Sequence, residues 1–259
     1  MVKRGQAAVL ANISGSTGLS YSLFACQIAG VADPCYDVYQ IRHAYGIDNL
    51  IKAGFAGKGK TIVIVDAFQS PNIVSELNTF DAFYGLPDLN GLGGKKNSKL
   101  GAFTQVAPDG LTAFDQTDAN MIGWAEEITL DVLDAHAMAP GANVTLVLAK
   151  SDSDADILSA TQYAVDHALG DVISQSFGEN ESCVDTNLLK AEHLLFAKAI
   201  LKGITLVAAS GDQGAAQPTC DGSSFTLAAS SPASPRAWTG STSGSRHGSR
   251  CRPARTGSS

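Results

Sequence analysis

Two hydrophobic periods alternate along this chain, and the alternation limits the fold to one class. Residues 61–67 (TIVIVDA) are a β-branched apolar run, the pattern of a strand buried on both faces. Residues 71–84 then carry Ile73, Leu77, Phe80 and Phe83 at three- and four-residue steps, the stripe of an amphipathic helix. The same exchange recurs downstream. A helix is expected over 120–138, ended by Pro140-Gly141, and a strand over 144–149. A helix over 153–168, a strand over 171–176, a helix over 187–201 stopped by Gly203 and a strand over 204–210 follow. Residues 85–119 are turn-rich, with a short strand expected at 102–106. The pattern implies an α/β fold, doubly wound around a mostly parallel sheet. In such folds function gathers at the carboxyl ends of the strands.

The charge is distributed unevenly. Residues 231–259 hold five of the seven arginines and no Asp or Glu, a net +5. The preceding 230 residues carry 13 basic against 25 acidic side chains, a net −12. The last 29 residues have no Leu, Ile, Val or Phe, and Ser, Thr, Gly and Pro fill 18 of them. They hold too little apolar surface to offset the entropy of ordering, so a disordered tail is expected. Three regions follow: an ill-defined segment 1–35, the α/β part 36–230 and the low-complexity tail 231–259. A pI near 5.1 argues against nucleic acid as the main partner. No apolar run approaches the roughly 18 residues of a spanning helix, so no membrane is expected as partner.

Of five cysteines, Cys26 and Cys35 bracket a short loop, whereas Cys183 and Cys220 each follow an expected strand. The spacings match no zinc pattern. Two disulfides and an odd Cys251 are expected, alongside the alternative of free thiols; the disulfides would imply an oxidising compartment. The apolar stretch 7–11 is shorter than the core of a signal peptide.

Two places carry candidate chemistry. Glu127 and Asp131 lie four apart, on one face of the expected helix 120–138, with Asp134 about one turn further. On an exposed helix this is a tolerated acidic face, costing about 0.2–0.5 kcal/mol per like pair. In apolar surroundings the two acids share a proton, and one becomes a usable general base. Trp124, Ile128, Leu130, Val132 and Leu133 make the helix apolar over most of its surface, so burial is expected. The second place is Ser210-Gly211-Asp212-Gln213-Gly214 at the end of the last strand. Asp212 there either caps its own turn or, held protonated, donates to an oxyanion. Asp66 ends the strand 61–67 but lacks the His-Gly-Thr partner of a subtilisin-type triad. His136 and the other histidines are expected in core or surface roles.

At these residues the sequence resembles the sedolisin family of serine-carboxyl peptidases, of the kumamolisin-like type. Tyr36–Tyr45 followed by Gly59-Lys60-Thr61-Ile62-Val63-Ile64-Val65-Asp66-Ala67 is similar to the start of its catalytic domain. Glu127-Ile128-Thr129-Leu130-Asp131-Val132 and Ala139-Pro140-Gly141-Ala142 resemble its catalytic helix and exit. Ser174-Gln175-Ser176-Phe177-Gly178 resembles its substrate strand, and Ser210-Gly211-Asp212-Gln213-Gly214 its oxyanion loop. The resemblance spans about residues 36–230 and implies a subtilisin-like fold and secreted, acid-active proteolysis of polypeptide substrates. It implies Glu127 as general base, Asp131 as the acid orienting it and Asp212 as oxyanion stabiliser. An inhibitory prosegment is a further implied partner.

The chain also departs from the family pattern. Only 47 residues follow Asp212, and none form the Gly-Thr-Ser-X-X-X-Pro motif of the family nucleophile. The family calcium site also lies in that C-terminal region, so no cofactor is expected in this chain. The match ends near Pro235, which leads to the expectation of a catalytic domain cut or frame-shifted there, before its serine. On that reading the polypeptide is an incomplete endopeptidase that does not hydrolyse casein. The alternative is a non-catalytic peptide-binding relic of the same fold.

Overall fold

The structure is a computed structural model that describes residues 12–14, 20–22, 35–89, 101–180, 183–212, 216–220 and 224–227. The tail 231–259, most of segment 1–35, and Cys26 and Cys251 lie outside the described residues. In chain order the elements begin with β1 (Asn12–Ser14), β2 (Ser20–Ser22), α1 (Val38–Ala44), α2 (Ile47–Lys52) and β3 (Thr61–Ala67). Next come α3 (Ile73–Tyr84), β4 (Phe103–Val106), α4 (Ala119–Met138), β5 (Asn143–Ala149) and α5 (Asp154–Asp166). The last are β6 (Val172–Gln175), α6 (Thr186–Leu201), β7 (Thr205–Ala208), β8 (Ala216–Pro218) and β9 (Phe225–Leu227).

Strands β4-β5-β3-β6-β7 form one sheet in that order, every pair parallel. The fold is therefore the expected doubly wound α/β type, with observed boundaries within a few residues of those read from periodicity. Alternation along β3 divides the core. Val63, Val65 and Ala67 pack with Ile157, Ala160 and Ala164 of α5 and Leu195 and Ala199 of α6. Ile64 points to the other face, against Ile73 and Leu77 of α3 and Ile128 and Val132 of α4. Asp66 is two residues beyond Ile64, so the period of two carries it to the α4 face.

Helix α4 is secured at both ends. The Asp118 side chain accepts from the backbone N–H groups of Asn120 and Met121, capping the N-terminus. At the other end buried Arg42 of α1 donates through Nε to the Ala137 carbonyl at 2.7 Å, and through Nη2 to the same oxygen. A cation on the last carbonyls also suits the negative end of the helix dipole. Burial lowers the Arg42 pKa from its ordinary value. The helix buries one stripe, Ile128, Val132, His136 and Ala137, rather than most of its surface. Leu130, expected inside, is 53% exposed, because a helix covering one face of the sheet presents only one side to it.

His136 and Asp81 are both fully buried, with Nε2 and Oδ1 3.1 Å apart, joining α4 to α3. Cys183 and Cys220 form a disulfide with an S–S distance of 2.06 Å. Cys35 is half of another disulfide whose second cysteine lies outside the described residues. The Gly57-Lys58-Gly59-Lys60 turn serves structure: Lys60 pairs with Asp171 at 2.6 Å. Among the described residues no helix is long and apolar enough to cross a membrane.

Candidate active site

The carboxyl edge of the sheet gathers acids from three elements. Asp66 at the end of β3 has 0% exposure, and neither carboxylate oxygen has a hydrogen-bond partner among the described residues. Glu127 and Asp131 project from α4, both half-buried, and Ser176 follows β6. Because Val65 stands opposite Gln175 in the register, Asp66 and Ser176 are the next positions on adjacent strands. They share the α4 face. The Ser176 hydroxyl donates to Asp131 Oδ1 at 2.9 Å. The same hydroxyl also favours the ionised form of the Glu127 carboxyl.

This crowding controls ionisation. Burial pushes the Asp66 carboxyl well above the ordinary carboxylate range, and the charges of Asp131 and Glu127 push it further. Burial raises Glu127, helped by Asp131 and Asp212 and opposed by the Ser176 hydrogen bond. Burial raises Asp131, and Ser176 again opposes. Asp66 is therefore biased toward its protonated form, and Glu127 and Asp131 are coupled through their charges. One hydroxyl donor favours the ionised form of the pair. A carboxylate poised in this way can accept a proton from a nucleophile in mildly acidic solution.

Asp212 lies in the turn that leaves β7, exposed, and its charge is felt at Glu127. The preceding Gly211 has φ +82°, the left-handed region where a side chain is strained. That turn puts Asp212 on the same edge as the α4 acids. Asp134, the third acid of the helix pattern, is exposed.

Two residues of this cluster were not singled out as functional by sequence reasoning. In the sequence Asp66 lacks the histidine that would mark it as part of a subtilisin-type triad. The signal was available: an acid in a β-branched run, on the face alternate to Val63 and Val65. Ser176 falls within the stretch that resembles the substrate strand, but its contact with Asp131 depends on strand register against β3 and was not legible there. Among the described residues no group of three or more His, Cys, Asp and Glu is placed to hold a metal ion.

The fold and this edge define a class: an α/β protein of the sedolisin-like, subtilisin-related fold, with carboxylates at the carboxyl ends of its strands. The solved structure that carries the comparison is Pseudomonas sedolisin, a serine-carboxyl proteinase complexed with two molecules of pseudo-iodotyrostatin. The chain aligns to it with a TM-score of 0.50 and 24% sequence identity, over 63% of this chain and 42% of that one. The chain thus spans about two fifths of that proteinase. The likeness establishes the fold. No protein-family model and no curated protein matches the chain.

Proposed function

We propose that the chain carries the carboxylate machinery of a serine-type endopeptidase acting in acid. The observation behind this reading is the gathering of Glu127, Asp131 and buried Asp66 at one edge of the sheet, where the Ser176 hydroxyl donates to Asp131 and the charge of Asp212 reaches Glu127. The family resemblance assigns Glu127 as the general base, and a pKa raised by burial and then by Asp131 suits that role. Asp131 orients Glu127 and shares its proton. Asp212, once protonated, donates to the oxyanion of a tetrahedral intermediate. The nucleophilic serine of the family motif is absent from the sequence. The polypeptide by itself accordingly binds peptide without turning it over.

The test compares wild type with Glu127→Gln and Asp212→Asn at pH 4, measuring casein hydrolysis and binding of a dye-labelled peptide mixture. Peptide binding without hydrolysis, weakened in either variant, supports the reading. Hydrolysis abolished by Glu127→Gln keeps the base assignment and reveals a nucleophile within the chain. Absence of both binding and hydrolysis overturns it.

The second reading, a peptide-binding relic of the fold, is favoured by the Ser176 contact. That hydroxyl already occupies Asp131. The relic binds peptide equally well with or without Glu127.

A further inference from the structure

A cavity of about 320 Å³ opens on the face of the sheet opposite α4's packing stripe, between α5 and α6. It adjoins the candidate active site through two shared walls. Trp124 lies one helical turn before Glu127, and Phe177 directly follows Ser176; both line the cavity. Leu188 and Phe196 of α6 continue the apolar wall. Acids complete the lining: Asp152, Asp154, Glu179 and Glu192. Asp152 accepts from Asn120 Nδ2 at 2.8 Å. Among the described residues none of these four acids is in an ion pair with a Lys, Arg or His.

We propose that this cavity receives the side chain of a lysine or arginine in a polypeptide substrate, an inference that rests on the peptidase reading above. The volume lies at the low end of ligand clefts, which run from roughly 300 to 1,000 Å³, and suits one long side chain. The lining has two parts, and so do these side chains: an aliphatic stem that covers apolar surface and a charged head that seeks acids. A neutral apolar side chain would fit the walls but leave the acids facing one another. A glutamate would add to their repulsion. A divalent metal is a poorer occupant, since among the described residues no group of three such ligands is placed to hold one. Glu179 and Glu192 already register the crowding. Burial raises both, and the charge of Asp154 raises both further. A bound ammonium or guanidinium would relieve that repulsion.

The test uses the whole chain at pH 7 and dye-labelled, alanine-rich hexapeptides carrying lysine, norleucine or glutamate at each internal position in turn. Norleucine keeps most of the stem and removes the charge. At one position lysine should bind about tenfold tighter than norleucine, the scale of one charge-assisted contact. In the Glu179→Gln/Glu192→Gln double variant the gap should shrink to within about twofold, with norleucine binding unchanged. Both substitutions keep shape and remove repulsion, and near-UV circular dichroism verifies the fold. Peptides that bind with no lysine preference overturn the cavity assignment and leave the peptidase reading standing. A lysine preference that persists in the double variant also overturns it. Failure of every peptide to bind overturns both.

Discussion

The Ser176 hydroxyl donates to Asp131 Oδ1 at 2.9 Å, joining the exit of β6 to the middle of α4. It is a hydrogen bond to the ionised form of an acid that burial drives toward neutrality. Removing it should let burial act unopposed. Ser176→Ala is expected to shift the titrations of Asp131 and Glu127 to higher pH, as read by carboxyl carbon NMR. A charge-assisted bond of this type contributes about 1.5–3 kcal/mol, so urea unfolding at pH 7 should show a loss of at most that size. Unchanged titrations would mean that Ser176 does not tune the pair.

Asp66 makes the fold sensitive to alkali. Its pKa is raised by folding, so the native state holds its proton more tightly than the unfolded chain does. Stability from this group is therefore full below the ordinary carboxylate pKa of about 4 and is lost as pH rises through the native value. The raised Glu127 and Asp131 act in the same direction. Exposed Asp115 and half-buried Asp166 and Asp171 are lowered, chiefly by hydrogen bonds from Thr117, Lys198 and Lys60, and act oppositely as pH falls below about 4. The melting temperature should rise on acidification from pH 7 toward 5. Asp66→Asn cannot ionise, so it should melt higher than wild type at pH 7 and show a flatter slope. A gain of 1 kcal/mol corresponds to about 2–4 °C for a chain of this size. Equal slopes in the two proteins would refute the role of Asp66.

The Asp81–His136 pair is a buried link between α3 and α4. Removing one partner leaves a polar group stranded in the core, at a cost of about 3–5 kcal/mol. Asp81→Ala should lose that much in urea unfolding, whereas Asp81→Leu/His136→Leu should recover most of it. A single substitution costing under about 1 kcal/mol would contradict a structural role for the pair.

The Cys183–Cys220 disulfide closes a loop with a sequence separation of 37. Loop-closure entropy assigns such a link about 4 kcal/mol. Cys183→Ala/Cys220→Ala is expected to unfold at a lower urea concentration by a margin of that order. With dithiothreitol, which also opens the Cys35 disulfide, wild type and variant should unfold at the same urea concentration. No difference between reduced and oxidised wild type would exclude a stabilising bond.

Much of the fold was legible in the chain because each element carries its own period. The run 61–67 coincides with β3, and the spacing of Ile73, Leu77 and Phe80 with α3. Helices α1 and α2 were missed, being 7 and 6 residues long, too short for a repeating stripe. In the candidate site, Glu127 and Asp131 were visible because helical spacing alone puts residues four apart on one face. Asp212 was visible because a Gly-Asp turn after a strand points outward.

The sequence by itself determined the α/β alternation, the two-faced strand β3 and the i, i+4 acid pair, since each is set by a local repeat of the backbone. The tertiary structure decided which side of α4 is buried, and it brought Asp66 and Ser176 to that pair. It also placed the acid-lined cavity beside them. These depend on strand register and on contacts between residues distant in the chain. Charge regulation by burial exists only once those distant parts have closed around the acids.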